Sequence, residues 1–358
     1  MTKNIYRILV VGGDSWNGSD CTGLARGFRA LGHLVELIGA DQFFPKVDRS
    51  FSARLLRKII SPFFANQFNN YIVNQLSFIR PDMVVIFKGN YVKPETLSVI
   101  REKGIWLCNF YPDVSFFCHK DVDPTGFKFY DHIFTTKSFG VNDLKQQLGL
   151  QNASFLPHGF DSAVHRPVTK VSHSDNKIDA SFIGTWSPHK QAFLEGVMTE
   201  LNEAKLYIWG NQWNRVANGV LKKAIMGHPV LGDFYAFAIG NTKINIGLLS
   251  EQQEGASSGD KITSRTFQIP ASGGFLLHER TEEVLEYYEE GKEIACFDSI
   301  EELVEKIQYY LDNEEERNLI ANAGYERCIK ENSLTNRAQV IISKFENDSN
   351  ISIKNTYF

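Results

Sequence analysis

The stretch "DKITSRTFQIPASGGFLL", residues 260–277, runs from polar and basic residues into an apolar patch, breaks at Gly273-Gly274, and resumes as an apolar run. This pattern predicts a loop, a short helix, a tight turn and a buried strand. Lys261, Thr263, Ser264 and Arg265 gather at the mouth of that helix. A helix start carries free backbone N–H groups and the positive end of a dipole, so these residues point to an anion.

The same alternation extends outward in both directions. Upstream, "YRILVVG", "HLVELIG", "DMVVIFKG", "IWLCNF", "HIFTTK" and "ASFLP" read as strands, most of them separated by helical patterns. Helices over 50–80 are expected to be interrupted near Pro62. "RPVTKVSHSDNKI" (166–178) is polar and aperiodic and reads as a linker. "DASFIGT", "KLYIWG", "KINIGLL", "GGFLL" and "KEIACF" then repeat the strand signal, and Ile300, Leu303, Ile307 and Leu311 mark an amphipathic helix. Strands alternating with helices imply parallel sheets covered on both faces. The expected fold is α/β, with two Rossmann-like doubly wound domains facing a central cleft. Domain 1 covers 1–165 and domain 2 covers 179–330. A helix over 331–346 crosses back to the first domain, and 347–358 form a loose tail. Ligands of open parallel sheets bind at the carboxyl ends of the strands.

Bulk properties narrow the function classes. The 358 residues are 43% hydrophobic and 22% charged, with a net charge of −4 and a pI near 6.2. No global positive field draws such a chain to nucleic acid. Five scattered cysteines (Cys21, Cys108, Cys118, Cys296, Cys328) lack a C-x-x-C pair, which suits reduced thiols in a cytoplasm better than a disulfide frame or zinc site. "MTKNIYRILVVGG" lacks signal-peptide character, and no apolar run reaches membrane-spanning length.

The loop "GGDSWNGSD" after the first strand supplies Gly12, Gly13, Ser15 and Trp16. Its glycine spacing is not that of a dinucleotide fingerprint, which argues against an NAD- or FAD-dependent enzyme. It reads either as a loop facing an acceptor or phosphate, or as a tight turn with exposed polar residues. Lys88 and Lys137, at strand ends, either neutralise an acidic acceptor or leaving phosphate or are solvated.

"FLPHGFDSAVHRP" (155–167) resembles the segment that ends the first domain in GT-B glycosyltransferases, with His158 where the family pattern has Asn. "KGNYVKPETL", "FYDHIFTTK", "LPHGFD", "SFIGTW", "TSRTFQIPASGGFLL" and "GKEIACFDSIEELVEKIQYYL", in this order, are similar to the CgeB-like (spore-maturation protein) glycosyltransferases over about residues 6–330. The resemblance implies a nucleoside-diphosphate sugar donor held mainly by the second domain. The acceptor would be a glycan, lipid-linked or protein molecule, as in polysaccharide biosynthesis, with membrane association only through that acceptor. The anion at the helix mouth would be the donor diphosphate. Thr263, Ser264, Arg265 and Thr266 would seat it, with Lys190 adding a second cation and Gly184 closing the neighbouring strand end. Arg265 could instead form a salt bridge within its helix, and Lys190 could be a solvated surface lysine.

Related enzymes carry a Glu on this helix for the ribose hydroxyls and an acid eight residues earlier. Here the positions are Gln268 and Asp260. A Gln carbonyl accepts one hydrogen bond but carries no charge. Asp260 could hold sugar hydroxyls or cap the helix.

An inverting enzyme needs a general base from the first domain. Asp113 is the first candidate, His158 the second and His119 the third. A turn residue and a hydrogen-bonded cleft histidine are the structural alternatives for the first two. Asp121 and Asp123 lie in a loop with no apolar run leading in, so no metal is expected, and cations at the helix would take its place. A nucleotide-sugar epimerase and a nucleotide-sugar-binding protein without turnover are the rival readings.

Overall fold

In β1 (Arg7–Gly12) every residue from Ile8 to Val11 is fully buried, as a strand with neighbours on both sides and helices on both faces must be. The structure, a computed structural model, describes residues 4–45, 51–168, 178–201, 203–216 and 218–356. The chain divides into two units, each with its own parallel sheet.

The first unit runs from the N-terminus to Pro157 and adds Gln253–Ser258 and the chain from Leu334 onward. After β1 it contains α1 (Asp20–Ala30), β2 (Leu34–Gly39), α2 (Phe51–Ile79), β3 (Met83–Phe87), α3 (Pro94–Glu102), β4 (Trp106–Tyr111), β5 (His132–Thr135), α4 (Gly140–Leu148), β6 (Ala153–Phe155) and the final helix, α11 (Leu334–Thr356). The strand order is β2-β1-β3-β4-β5-β6, all pairs parallel.

Strand alternation sorts the core into two layers. Leu9, Val11, Val84, Ile86 and Leu107 pack with Phe68 and Ile72 of α2, Leu97 and Ile100 of α3 and Leu144 of α4. Ile8, Val10, Met83, Val85 and Cys108 pack on the opposite face with Leu24 and Phe28 of α1 and Ala338, Ile341 and Ile342 of α11. Ser19 caps α1, its hydroxyl accepting from the Thr22 N–H at 3.2 Å. Gly27 lets α1 meet the start of α11, because a Cβ there would lie 2.7 Å from the Leu334 carbonyl oxygen.

The second unit, His158–Gln252 and Gly259–Ser333, contains β7 (Ile178–Ile183), α5 (Pro188–Glu200), β8 (Leu206–Trp209), α6 (Asp233–Gly240), β9 (Thr242–Gly247), α7 (Ser264–Ala271), β10 (Leu276–Glu279), α8 (Glu282–Tyr287), β11 (Ala295–Phe297), α9 (Ile300–Asp312) and α10 (Glu314–Glu331). Its strand order is β11-β10-β9-β7-β8, again all parallel. Ala180, Phe182, Ile244 and Leu277 pack with Leu194 and Val197 of α5 and Leu303 and Ile307 of α9.

Several expectations are corrected. α2 is one helix of 29 residues with Pro62 inside it. Pro62 is exposed, so the carbonyl that loses its N–H partner can be met by solvent. The first unit ends at Pro157 rather than at 165, because the chain turns at Phe160 to pair with Ser333, its N–H donating to the Asn332 carbonyl at 3.1 Å. Of the expected linker 166–178, residues 169–177 lie outside the described residues. The expected loose tail continues α11 to Thr356. No Gly or Pro follows Leu334 to break it, and Asp348 is held by Lys344 at 2.6 Å and the Trp106 indole at 3.2 Å.

Candidate functional site

In an open parallel sheet, ligands collect where neighbouring strands lead their connections to opposite sides. The second sheet has that point between β7 and β9, and the carboxyl ends of these two strands converge there. β7 leads into Gly184, Thr185 and then α5, whose N-cap Ser187 accepts from the Lys190 N–H at 3.4 Å. β9 leads into Leu248, Leu249 and Ser250, and the chain returns at Asp260 to enter α7.

Three cations and acids are drawn to this point. The Lys190 ammonium is buried and donates to Ser250 Oγ at 3.0 Å and to the Thr185 carbonyl at 3.4 Å. Burial, with Arg265 adding repulsion, pushes its pKa down to about 8. The Arg265 guanidinium donates from Nη2 to the Leu248 carbonyl at 2.6 Å and lies over the Phe182 ring at 5.3 Å. Its buried Nε has no hydrogen-bond partner among the described residues, and burial lowers its pKa. Asp260 closes the loop base by accepting from the Ser250 N–H at 3.2 Å. Gly184 leaves the space: a Cβ there would come within 2.7 Å of the Phe182 ring and 3.0 Å of Arg265 Nη1.

Thr263 is the N-cap of α7, and Thr266 Oγ1 accepts from its N–H at 3.0 Å in the manner of a capping box. Thr266 is fully buried and also bonds His278 Nε2 at 2.9 Å. Its hydroxyl therefore braces the helix start from inside, with no surface exposed toward the loop. Ser264 is half-buried in the first turn beside Arg265. Gln268 is buried one turn further along the helix. Glu279 escaped sequence reasoning. It ends β10, accepts from His189 Nε2 at 3.0 Å and from the Leu249 N–H at 2.9 Å, and so ties α5 to the β9 exit. Its signal was an acid at a strand's carboxyl end.

The first sheet has its equivalent point between β1 and β3. Gly12 and Gly13 leave β1 there, a Cβ on Gly12 meeting Cys21 Sγ and one on Gly13 meeting Asn90 Oδ1 at 3.0 Å. Beyond β3, Lys88 (φ 62°) and Tyr91 (φ 61°) stand in left-handed backbone on either side of Gly89 and Asn90. Such strain at a strand end is a marker of function. Lys88 Nζ reaches Asp113 at 2.8 Å, and His119 Nε2 reaches the same carboxylate oxygen at 3.0 Å.

Against burial, which would raise it, His119 and Lys88 hold the Asp113 carboxyl well below the usual carboxylate range. A carboxylate so held is a weak proton acceptor, which weighs against Asp113 as the base. His158, the second candidate, belongs to the second unit and is buried there. Asp14 was overlooked although it stands in the quoted glycine loop. Burial, with Asp41 nearby, pushes its pKa up. Ser15 is committed to Asp41 Oδ1 through its N–H at 3.0 Å and its hydroxyl at 2.9 Å. Asp14 and half-buried Trp16 stand in this loop, with Asp41 bonded to it and Lys88 close enough to act on Asp14.

Lys137 is buried at the end of β5 and has partners of its own. Asp121 accepts from Asn90 Nδ2 at 2.6 Å, and Asp123 accepts from the Thr125 N–H at 2.9 Å. Among the described residues, no group of three or more His, Cys, Asp or Glu side chains is arranged to hold a metal ion, and no helix is long and apolar enough to cross a membrane.

Residues 189–343 match the glycosyl transferase-like family. The match opens at His189 and takes in Lys190, Asp260, Arg265 and Glu279. No curated protein matches the sequence at a significant level. Among solved structures, a glycosyltransferase from Rickettsia africae aligns with 96% of this chain and 99% of its own at 12% identity, with a TM-score of 0.65. Sucrose-phosphate synthase from Thermosynechococcus elongatus aligns with 95% of this chain and 98% of its own at 11% identity and a TM-score of 0.66. HepE from Anabaena, solved with UDP and glucose, covers 95% of this chain and 99% of its own at 12% identity and a TM-score of 0.61. Two parallel sheets of six and five strands in this order give the chain the GT-B fold.

Proposed function

We propose that this protein is a glycosyltransferase that moves a sugar from a nucleoside-diphosphate donor to a glycan, lipid-linked or protein acceptor. The observation that carries the reading is the pairing of buried Lys190 with half-buried Arg265, in the first turn of α7, within the segment that matches the glycosyl transferase-like family. A buried guanidinium N–H such as Arg265 Nε is costly to leave unpartnered, and an anion would meet it. A diphosphate would accept from Arg265, Lys190 and the amides at the start of α7. HepE, bound to UDP, lends support to a nucleotide-sugar donor. The ordered motifs of the sequence favour a CgeB-like member, acting in the cytoplasm.

In the reaction, the bond from the sugar's anomeric carbon to the diphosphate breaks and a bond to the acceptor oxygen forms. The nucleoside diphosphate leaves with its negative charge stabilised by the two cations, so a divalent metal is not required. Asp14, in the exposed loop at the carboxyl end of β1, is the carboxylate we propose to take the acceptor's proton, and the upward push on its pKa favours that role. Asp113, bound by Lys88 and His119, is a positioning residue for both. Gln268 and Asp260 would meet the donor's hydroxyls.

The test is incubation with a panel of nucleotide sugars, with and without acceptors and with EDTA, reading release of the nucleoside diphosphate. Failure to bind any nucleoside diphosphate overturns the proposal. Conversion of a nucleotide sugar without an acceptor indicates an epimerase, and binding without turnover indicates a binding protein.

A further inference from the structure

The sites above lie at the carboxyl ends of the strands. The opposite edge of the first unit's sheet holds a groove of about 1280 Å³, floored by the residues that begin β1, β4 and β5 and walled by the end of α2 and by Lys344 to Ser349 of α11. Five cations face three carboxylates in it. The carboxylates are already matched: Asp82 holds Arg7 at 2.9 Å, Asp131 holds Arg101 at 3.1 Å and Asp348 holds Lys344 at 2.6 Å. His132 adds no charge, since burial pushes its pKa down to about 4. Arg80 and Lys103 are left over, and neither side chain has a partner among the described residues.

Among the described residues, Arg80 is also one of four non-glycine residues with positive φ, at 48°, and it directly precedes Pro81. A left-handed arginine ahead of a proline is an unfavoured conformation, and it fixes where the side chain leaves the end of α2. Uncompensated positive charge at a polar groove of this size, with one cation set by a strained backbone, is the arrangement of a site for a multiply charged anion.

We propose that this groove is a second binding site, independent of the donor site, for a phosphate-bearing ligand anchored by Arg80 and Lys103. A free phosphorylated compound and an anionic phospholipid headgroup share that chemistry, so both are tested. Inorganic pyrophosphate is titrated calorimetrically into the Arg265→Ala variant, which disables the donor seat, and vesicles of phosphatidylcholine with phosphatidylglycerol are used in a flotation assay.

Arg80→Asn, chosen because Asn tolerates the left-handed backbone, and Lys103→Ala, at an exposed position, are each expected to weaken binding by about tenfold. If Arg80→Asn fails to fold, Lys103→Ala and Lys103→Glu carry the test. Pyrophosphate binding lost in these variants identifies a soluble ligand. Vesicle binding lost in them, without pyrophosphate binding, identifies a headgroup. No binding of either probe, or binding that the variants leave unchanged, overturns the proposal.

Discussion

At the residue scale, burial sets what each charged group can do. Arg265 has a hydrogen bond to the Leu248 carbonyl and a ring beneath it, but no anion in reach for its Nε. Arg265→Ala is expected to weaken nucleoside-diphosphate binding by about 1–3 kcal/mol, read by calorimetry, because a charge-assisted contact is lost. Gly184→Ala should act in the same direction by pushing a methyl group toward Arg265 Nη1, 3.0 Å from where it would sit.

Lys190 gives a pH signature. Its pKa near 8 means that it is charged below that value and neutral above it. A bound diphosphate favours the charged form and raises that pKa. Affinity for a nucleotide sugar, whose diphosphate diester does not titrate near neutral pH, should therefore be flat well below pH 8 and fall by up to about tenfold per unit above it until the raised pKa is passed, and Lys190→Met should abolish the dependence. In the first unit, Asp14→Asn should remove most turnover while leaving donor affinity intact, and Asp113→Asn should cost less. Equal losses would return Asp113 to the role of base.

Helices and strands owe their places to contacts that the sequence shows only in part. Gly27 looks like an unfavourable residue inside a good helix, at a cost of about 1 kcal/mol against Ala. Its reason is the Leu334 carbonyl of α11, distant in sequence and 2.7 Å from where a Cβ would be. Gly27→Ala is therefore expected to destabilise the protein by about 1–3 kcal/mol in chemical denaturation, overpacking outweighing the gain in helix propensity. The strands were legible because each parallel strand is a near-continuous apolar run, such as Ile8 to Val11. The unbroken α2 was not, since the tolerance of Pro62 depends on which side of the helix faces solvent.

On the scale of the whole molecule, the first unit is built from three separate pieces of chain, the last being α11. Ala338, Ile341, Ile342 and Phe345 cover one face of its sheet. Truncation after Ser333 should expose that face and destabilise the first unit far more than any single substitution, read as rapid proteolysis of residues before Pro157. The second unit contains Lys190, Asp260 and Arg265 without needing α11.

The sequence by itself determined the α/β class, the parallel sheets and the cations at the mouth of α7. Strand and helix periodicity, glycine turns and helix-start chemistry are local properties of the chain. It also carried Asp14 in plain view, without distinguishing it from its neighbours. The tertiary structure alone shows which of those polar residues are internal braces, as Thr266 is, and in which direction burial and partners push each carboxyl. Those distinctions depend on desolvation and on partners far away in sequence: Asp41 for Asp14, Lys88 for Asp113, and His278 for Thr266.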